Sequence, residues 1–353
     1  MTAEVPEGDP TLKLPRAYGG APLHGRLRAE PEDFRVDEIL GYGASGRGEH
    51  VFLTVRKRQR NTHDVARLIA KHAGVAQVAV GYAGLKDRNA LTLQHFSVQL
   101  PGREAPDWAE LDDEGIEVLA AQRHDRKVRR GRLRGNRFEI LVRDWSGDQS
   151  SADQLLHRIS AAGVPNYFGA QRFGRNGNNL VRVDALFRKA GKRPGREQRG
   201  LLLSAARAHL FNQVLANRVI DTSWCRALDG DVMLLAGSER QFAFDAADET
   251  IPLRVDELDI HPSGPLCGRC SRALQPSGRV AEAERQVLAH WQPWIAGLER
   301  FGLDADRRSL RLAVEELQWD WSAAGLRLNF RLTAGAYATA VLRELLVAQT
   351  DNA

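Results

Sequence analysis

In the stretch "GYAGLKDRNALT" (81–92) a single carboxylate, Asp87, stands between Lys86 and Arg88, after one apolar run and before another. Cations on both sides favour the charged form of such an acid. It therefore suits attack on an electrophile or removal of a proton, and is a poor proton donor. A plain surface turn has the same triplet. The second concentration of functional side chains is "RHDRKVRRGRLRGNRF" (123–138), with eight Arg or Lys and one acid, Asp125. An Arg-rich run broken by Gly131 and Gly135 suits bidentate contacts to phosphate, although many charge runs only solvate a surface. Together with a net charge of +5, it points to nucleic acid as the partner class.

Other chemistry is thinly represented. Cys267 and Cys270 form a CxxC in "GPLCGRCS", His261 lies nearby and Cys225 stands alone upstream. Two thiols supply half of a structural zinc site, and the plainer reading is a turn with two free cysteines. Three cysteines argue against a disulfide framework. The H-x-E and P-C-x-x-C of a zinc deaminase are missing, as is the phosphate loop G-x-x-x-x-G-K-[ST]. The glycines of "FGAQRFGRNGNN" lack the strand-to-helix context of a dinucleotide site. The expectation is chemistry without metal or organic cofactor.

These residues need elements to hold them. "HVFLTV" (50–55) reads as a strand and "THDVARLIAKHAG" (62–74) as a helix capped by Asn61 or Thr62 and stopped at Gly74. "VAQVAVGYAG" and "LTLQHFSVQL" read as strands on either side of Asp87, and "RFEILVRDW" (137–145) as a strand after the basic run. From about residue 155 helical periodicity dominates, as in "SAARAHLFNQVLANRVI" (204–220) and "VAEAERQVLAHWQPWIAGLERFG". "LRLAVEELQWDW" and "LRLNFRL" flank "SAAG" as a hairpin, and "YATAVLRELLVAQ" closes the chain as a helix. The proline-rich start reads as a loose arm. Composition and the lack of a long apolar run indicate a soluble, cytoplasmic protein without a membrane span.

Several blocks in order resemble the TruD family of tRNA pseudouridine synthases. They are "PEDFRVDE" (31–38), the Asp87 turn, "GNRFEILV" (135–142), "GVPNYFGAQRFG" (163–174), "LLSAARAHLFNQVLANR" and "TAGAYATAVLREL" (333–345). The resemblance runs from about residue 24 to 345. It implies an α/β (α+β) fold: a pseudouridine-synthase catalytic domain with a mixed, largely antiparallel, bent sheet, at 1–160 and 313–353. A helix-rich TRUD domain is inserted at 161–312, with the active site in the cleft between them. The implied reaction turns uridine 13 of tRNA into pseudouridine. The base–ribose bond breaks and re-forms through C5, which calls for no cofactor.

The resemblance also implies roles. Asp87 matches the catalytic aspartate, acting either as nucleophile or as base. Arg28, where the family has lysine, can hold that carboxylate bidentately. Phe34, Asn136 and Tyr337 match positions that contact the target, and Phe138 shares a strand face with Asn136. Many relatives have Phe in place of Tyr337, whose hydroxyl adds a hydrogen-bonding group. Extruded uracil needs flat faces and an amide edge, which these side chains provide. Arg126, Lys127, Arg129, Arg130, Arg132 and Arg134 are expected along tRNA phosphates. Arg172 is a phosphate contact or a surface cation, while Tyr167, Phe168 and Phe173 read as packing. The partner is tRNA, with no membrane and no obligate protein partner, and the protein is expected to be a monomer. The rival reading is a non-catalytic RNA-binding or RNA-refolding protein.

Overall fold

The computed structural model describes residues 5–111, 115–190, 194–269 and 273–349. Two compact units emerge. A sheet unit comprises Pro22–Ala152, Val314–Gly335 and the chain from Leu346. A helical unit comprises the chain up to Ala21, Asp153–Ala313 and Ala336–Leu345.

Among the described residues the sheet unit holds one ten-stranded mixed sheet. Its strands are β1 (Leu23–Leu27), β2 (Phe34–Ile39), β3 (His50–Arg58), β4 (Val80–Tyr82), β5 (Leu91–Gln99), β6 (Ile116–His124), β7 (Gly135–Gly147), β8 (Glu315–Ser322), β9 (Gly325–Thr333) and β10 (Leu346–Gln349). The order is β8-β9-β7-β2-β5-β3-β6, with β1 beside β7 and β10, and β4 beside β5. The β2–β5 and β1–β10 pairs are parallel and the others antiparallel. The C-terminal hairpin adds β8 and β9 to β7, as its alternating pattern predicts.

Helix α1 (Thr62–His72) lays Val65, Ala66 and Ile69 on Val51, Leu53, Val55, Phe96 and Val98. This apolar stripe holds the helix on the sheet. Paired residues share a face, so the register draws one buried row across six strands: Phe330, Phe138, Val36, Thr92, Lys57 and Ile116.

The helical unit is built round α4 (Arg196–Ile220), which buries Leu203, Ala206, Leu210, Phe211, Val214 and Leu215. Helices α3 (Asn178–Phe187), α6 (Gly278–Leu288) and α7 (Gln292–Arg300) pack with it. In chain order α2 (Gln149–Ala162) precedes them and α5 (Thr250–Asp256) falls between α4 and α6, and Ile260–Leu266 is one of two inner strands of a four-stranded sheet. Among the described residues no helix is long and apolar enough to cross a membrane.

Four expectations need correction. The helix expected over 280–302 breaks into α6, a 3-10 turn and α7, because Pro293 starts a new helix and cannot continue an old one. Helix α8 (Ala338–Leu345) stops early, and Leu346–Gln349 pairs with β1. Of "VAQVAVGYAG" only Val80–Tyr82 is strand, preceded by a 3-10 turn. From residue 5 on, the N-terminal arm is not loose. Leu14 is buried in the helical core, and Arg343 donates to the carbonyls of Leu14 and Pro15 at 2.8 and 3.1 Å.

Candidate active site

The segment "PEDF" shows how sequence places a side chain. Pro31 opens a 3-10 turn whose Asp33 accepts from the Glu30 amide at 2.9 Å and pairs with Arg143 of β7 at 2.8 Å. The turn delivers Phe34 as the first residue of β2, buried opposite Ile140. Alternation then keeps Phe34, Val36 and Glu38 on one face, opposite Ile140, Phe138 and Asn136. Phe138 meets the edge of Phe34, centroids 6.3 Å apart, and stacks on Phe330 at 5.3 Å. Asn136 is buried, and its Oδ1 has no hydrogen-bond donor among the described residues.

Asp87 lies in the segment joining β4 to β5 and is partly exposed. Its carboxylate accepts from Arg28 Nη2 at 3.0 Å. The same guanidinium lies over Phe34, its carbon 4.0 Å from the ring centroid. Arg28 thus joins the carboxylate to the aromatic pair in one continuous arrangement. Its backbone has φ 58°, a left-handed conformation that costs a residue with a Cβ about 1–2 kcal/mol. Such strain on a functional candidate is held in place by the surrounding fold.

Beneath the loop lies a set of buried polar groups that the sequence reading passed over. Lys86 pairs with Glu38 at 3.0 Å, with both side chains at most 5% exposed. The His95 amide donates to Glu38 at 3.0 Å. Burial works to raise Glu38, but the hydrogen bond from His95 and the nearby Lys86 ammonium outweigh it and hold the carboxyl below its usual range. Thr62 accepts from the Lys86 amide at 3.0 Å, and Gln94 donates to the Gly84 carbonyl at 2.8 Å. Lys57, fully buried, donates to the carbonyls of Arg60 and Asp87 at 2.7 and 2.9 Å. Alternation contained the signal for both charges. Lys57 follows Val51, Leu53 and Val55 on the inward face of β3, and Glu38 follows Phe34 and Val36 on β2.

The basic run forms an ordered loop between β6 and β7. Val128 is buried with Leu40, Phe52 and Ala83, and its amide donates to Ser97 at 2.8 Å. Gly131 donates to the Ala83 carbonyl at 2.9 Å, so this loop lies against the start of the Asp87 segment. A Cβ on Gly81 would sit 2.3 Å from the Val128 carbonyl, which explains the glycine in "GYAG". Arg126, Arg129, Arg130, Arg132 and Arg134 are exposed. Arg126 pairs with Asp125 at 3.3 Å, and Arg130 donates to the Tyr82 hydroxyl at 3.0 Å. Lys127 is half-buried and donates to the Val78 carbonyl.

Tyr337 and Arg172 belong to the helical unit. Arg172 donates to the Tyr337 hydroxyl at 2.5 Å and to Ser204 at 3.0 Å. Both terminal nitrogens are thereby engaged within that unit, which departs from an open phosphate contact. Phe168 meets Tyr337 edge-on at 6.3 Å, and Tyr167, Phe168 and Phe173 are core residues, as expected. Among the described residues no three metal-ligating side chains cluster. His261 is occupied by Arg311 at 3.0 Å, Cys267 is buried, and Cys270 lies outside the described residues.

The family description "tRNA pseudouridine synthase D (TruD)" matches residues 16–189 and 177–345. Two relatives named tRNA pseudouridine synthase D are similar over almost their whole length. That of Methylococcus capsulatus is 50% identical over 334 residues, covering 94% of each chain. That of Nitrosococcus oceani is 49% identical over 350 residues, covering 97% of each. A solved structure from Methanosarcina mazei assigned to the same description superposes with a TM-score of 0.74 at 24% identity, over 97% of this chain and 98% of that one.

Proposed function

Since the chain belongs to the TruD family of tRNA pseudouridine synthases, a family of isomerases, we propose that it converts uridine 13 of tRNA to pseudouridine with Asp87 as the catalytic carboxylate. The observation that carries this reading is the Asp87–Arg28–Phe34 arrangement, a partly exposed carboxylate oriented at 3.0 Å by a guanidinium stacked on an aromatic ring. The N1–C1′ bond breaks, the uracil turns, and C5 bonds to C1′. The C5 proton is lost and N1 regains one, so the product is an isomer and the balance needs no co-reactant. Asp87 serves this by attack on C1′ or by taking a ribose proton.

A uridine in folded tRNA must leave its stack before it can react. The unpaired Oδ1 of Asn136 suits the uracil N3–H, and a buried acceptor left empty costs about 1–3 kcal/mol until a ligand fills it. Phe34 supports the base through Arg28, and Phe138 walls the same strand face. Tyr337 is proposed as a base-contacting aromatic on its motif. The exposed arginines of the 125–134 loop are proposed to follow the phosphates, with Lys127 and Arg172 holding local structure beside that role.

Replacing Asp87 with Ala and mapping pseudouridine in tRNA tests the assignment. Lost modification with retained tRNA binding is expected. Wild-type modification by D87A would overturn it, and tRNA bound but left unmodified by the wild-type protein would favour a non-catalytic RNA-binding protein. Release of free uracil would point to a glycosylase.

A further inference from the structure

Lys57 is a charged residue on an apolar face. Val51, Leu53 and Val55 precede it on the inward side of β3, and all four are at most 2% exposed. Its partners are two main-chain carbonyls, of Arg60 at 2.7 Å and of Asp87 at 2.9 Å. Burying an ammonium is costly, and a neutral donor could satisfy both oxygens without that cost. The carbonyls do not neutralise the charge, so its field persists at the Asp87 segment. The titratable groups acting on it are Asp87 and Lys86, both from that segment. The flanking strands set uncharged Thr92 (β5) and Ile116 (β6) opposite it. Lys86 is paired with Glu38, which leaves Asp87 as the acid whose charge acts on Lys57.

We propose that Lys57 is a positioning residue for the isomerisation: its buried ammonium ties the Asp87 main chain to the end of β3 and keeps a positive charge beneath the carboxylate. The proposal rests on the reading of Asp87 as the catalytic acid. Arg28 orients the carboxylate by its oxygen, and Lys57 fixes the backbone from which it projects. Burial pushes the Lys57 ammonium down to about 8, against the opposing pull of Asp87 and with Lys86 adding to the fall. The charge is therefore present below that pH and lost above it.

The test measures single-turnover conversion of bound tRNA against pH for the wild type, K57M, K57R and D87A. K57M keeps the stem and removes the donors, and its rate should fall on the order of 100-fold with tRNA affinity unchanged. K57R should recover most of the rate. The wild-type rate should decline as pH rises through about 8. That decline should move upward in K57R, whose guanidinium keeps its proton. A folded K57M working at the wild-type rate overturns the proposal, as does an alkaline decline that K57R leaves in place. If K57M does not fold, the wild-type and K57R profiles decide alone. Inactive D87A beside fully active K57M removes only the role of Lys57, whereas active D87A removes the reading of Asp87 as well.

Discussion

In the helical unit, the buried guanidinium of Arg218 on α4 is met by both oxygens of Asp231 at 2.8 and 3.0 Å. Arg307 likewise meets Glu284 of α6 at 2.5 Å and the Ser263 carbonyl at 2.8 Å. The first ties α4 to the residue just before the strand that begins at Val232, and the second ties α6 to the strand that holds Arg307. In the sheet unit, apart from Asp33 held by Arg143, buried charge gathers under one short segment: Lys86 with Glu38, and Lys57 on two carbonyls, one of them belonging to Asp87. One unit uses ion pairs to fasten packed elements. The other sets one buried ion pair and one buried ammonium under a loop whose acid stays partly exposed. Buried ion pairs seldom add net stability over apolar packing, so this placement suits positioning better than strength.

The largest expected effect breaks the loop's anchor. Glu38→Gln removes a carboxylate that is 0% exposed and leaves Lys86 charged and buried. We expect a loss of about 3–5 kcal/mol, read by urea denaturation of the full chain. Replacing Arg218 and Asp231 together by apolar residues of similar volume should cost far less, since no charge is left behind. Equal losses in the two variants would erase the contrast between the units.

Acid should weaken the helical unit through His209. This α4 ring packs against Trp291 and Trp294, with centroids 4.7 and 5.8 Å away, and its Nε2 has no hydrogen-bond partner among the described residues. Burial pushes it down to about 4. The folded value lies below the unfolded one, so the unfolded chain takes the proton first as pH falls. Stability is full above about pH 6.5 and declines by about 3 kcal/mol toward pH 4. His50 and His124 in the sheet unit are also pushed down by burial, so both units lose stability in the same direction. His209→Phe should flatten the decline in hydrogen exchange along α4 and leave the sheet unchanged. An unaltered slope along α4 would refute the assignment.

Legibility followed the range of the interactions. The Asp87 motif is legible because it is contiguous, and β7 because Asn136, Phe138 and Ile140 alternate along one strand. The Arg28–Asp87 contact was anticipated only through family resemblance, since no local rule links residues so far apart in the chain. Glu38 and Lys57 continue inward alternations, yet a charged residue at a strand end reads as solvated unless its distant partners are known. The end of α8 is not legible locally, because Leu346 and Val347 fit a helical stripe as well as a strand. Pairing with β1 decided the outcome.

A smaller effect belongs to Tyr337. Tyr337→Phe removes the acceptor that Arg172 engages at 2.5 Å and keeps the ring. The expected cost is about 1 kcal/mol of stability, read as a lowered melting temperature of the helical unit, with little change in conversion of saturating tRNA. A large loss of conversion without a loss of stability would mean that the hydroxyl, and not the ring, serves the substrate.

The smallest expected effect on stability, near zero, comes from the exposed arginines of the 125–134 loop, and there the readout is salt. Arg129 and Arg132 are exposed and lie beside Gly131, whose amide fixes the loop against Ala83. Replacing either with Gln removes charge without disturbing that anchor. If each neutralises one tRNA phosphate, the slope of log affinity against log salt should fall by about 0.7–0.9 per substitution, additively for the pair. Melting should not change, and conversion of saturating tRNA should hold. A salt slope identical to wild type in the double variant would show that these side chains only solvate the surface. The sheet unit's contact with RNA would then have to come from other cations.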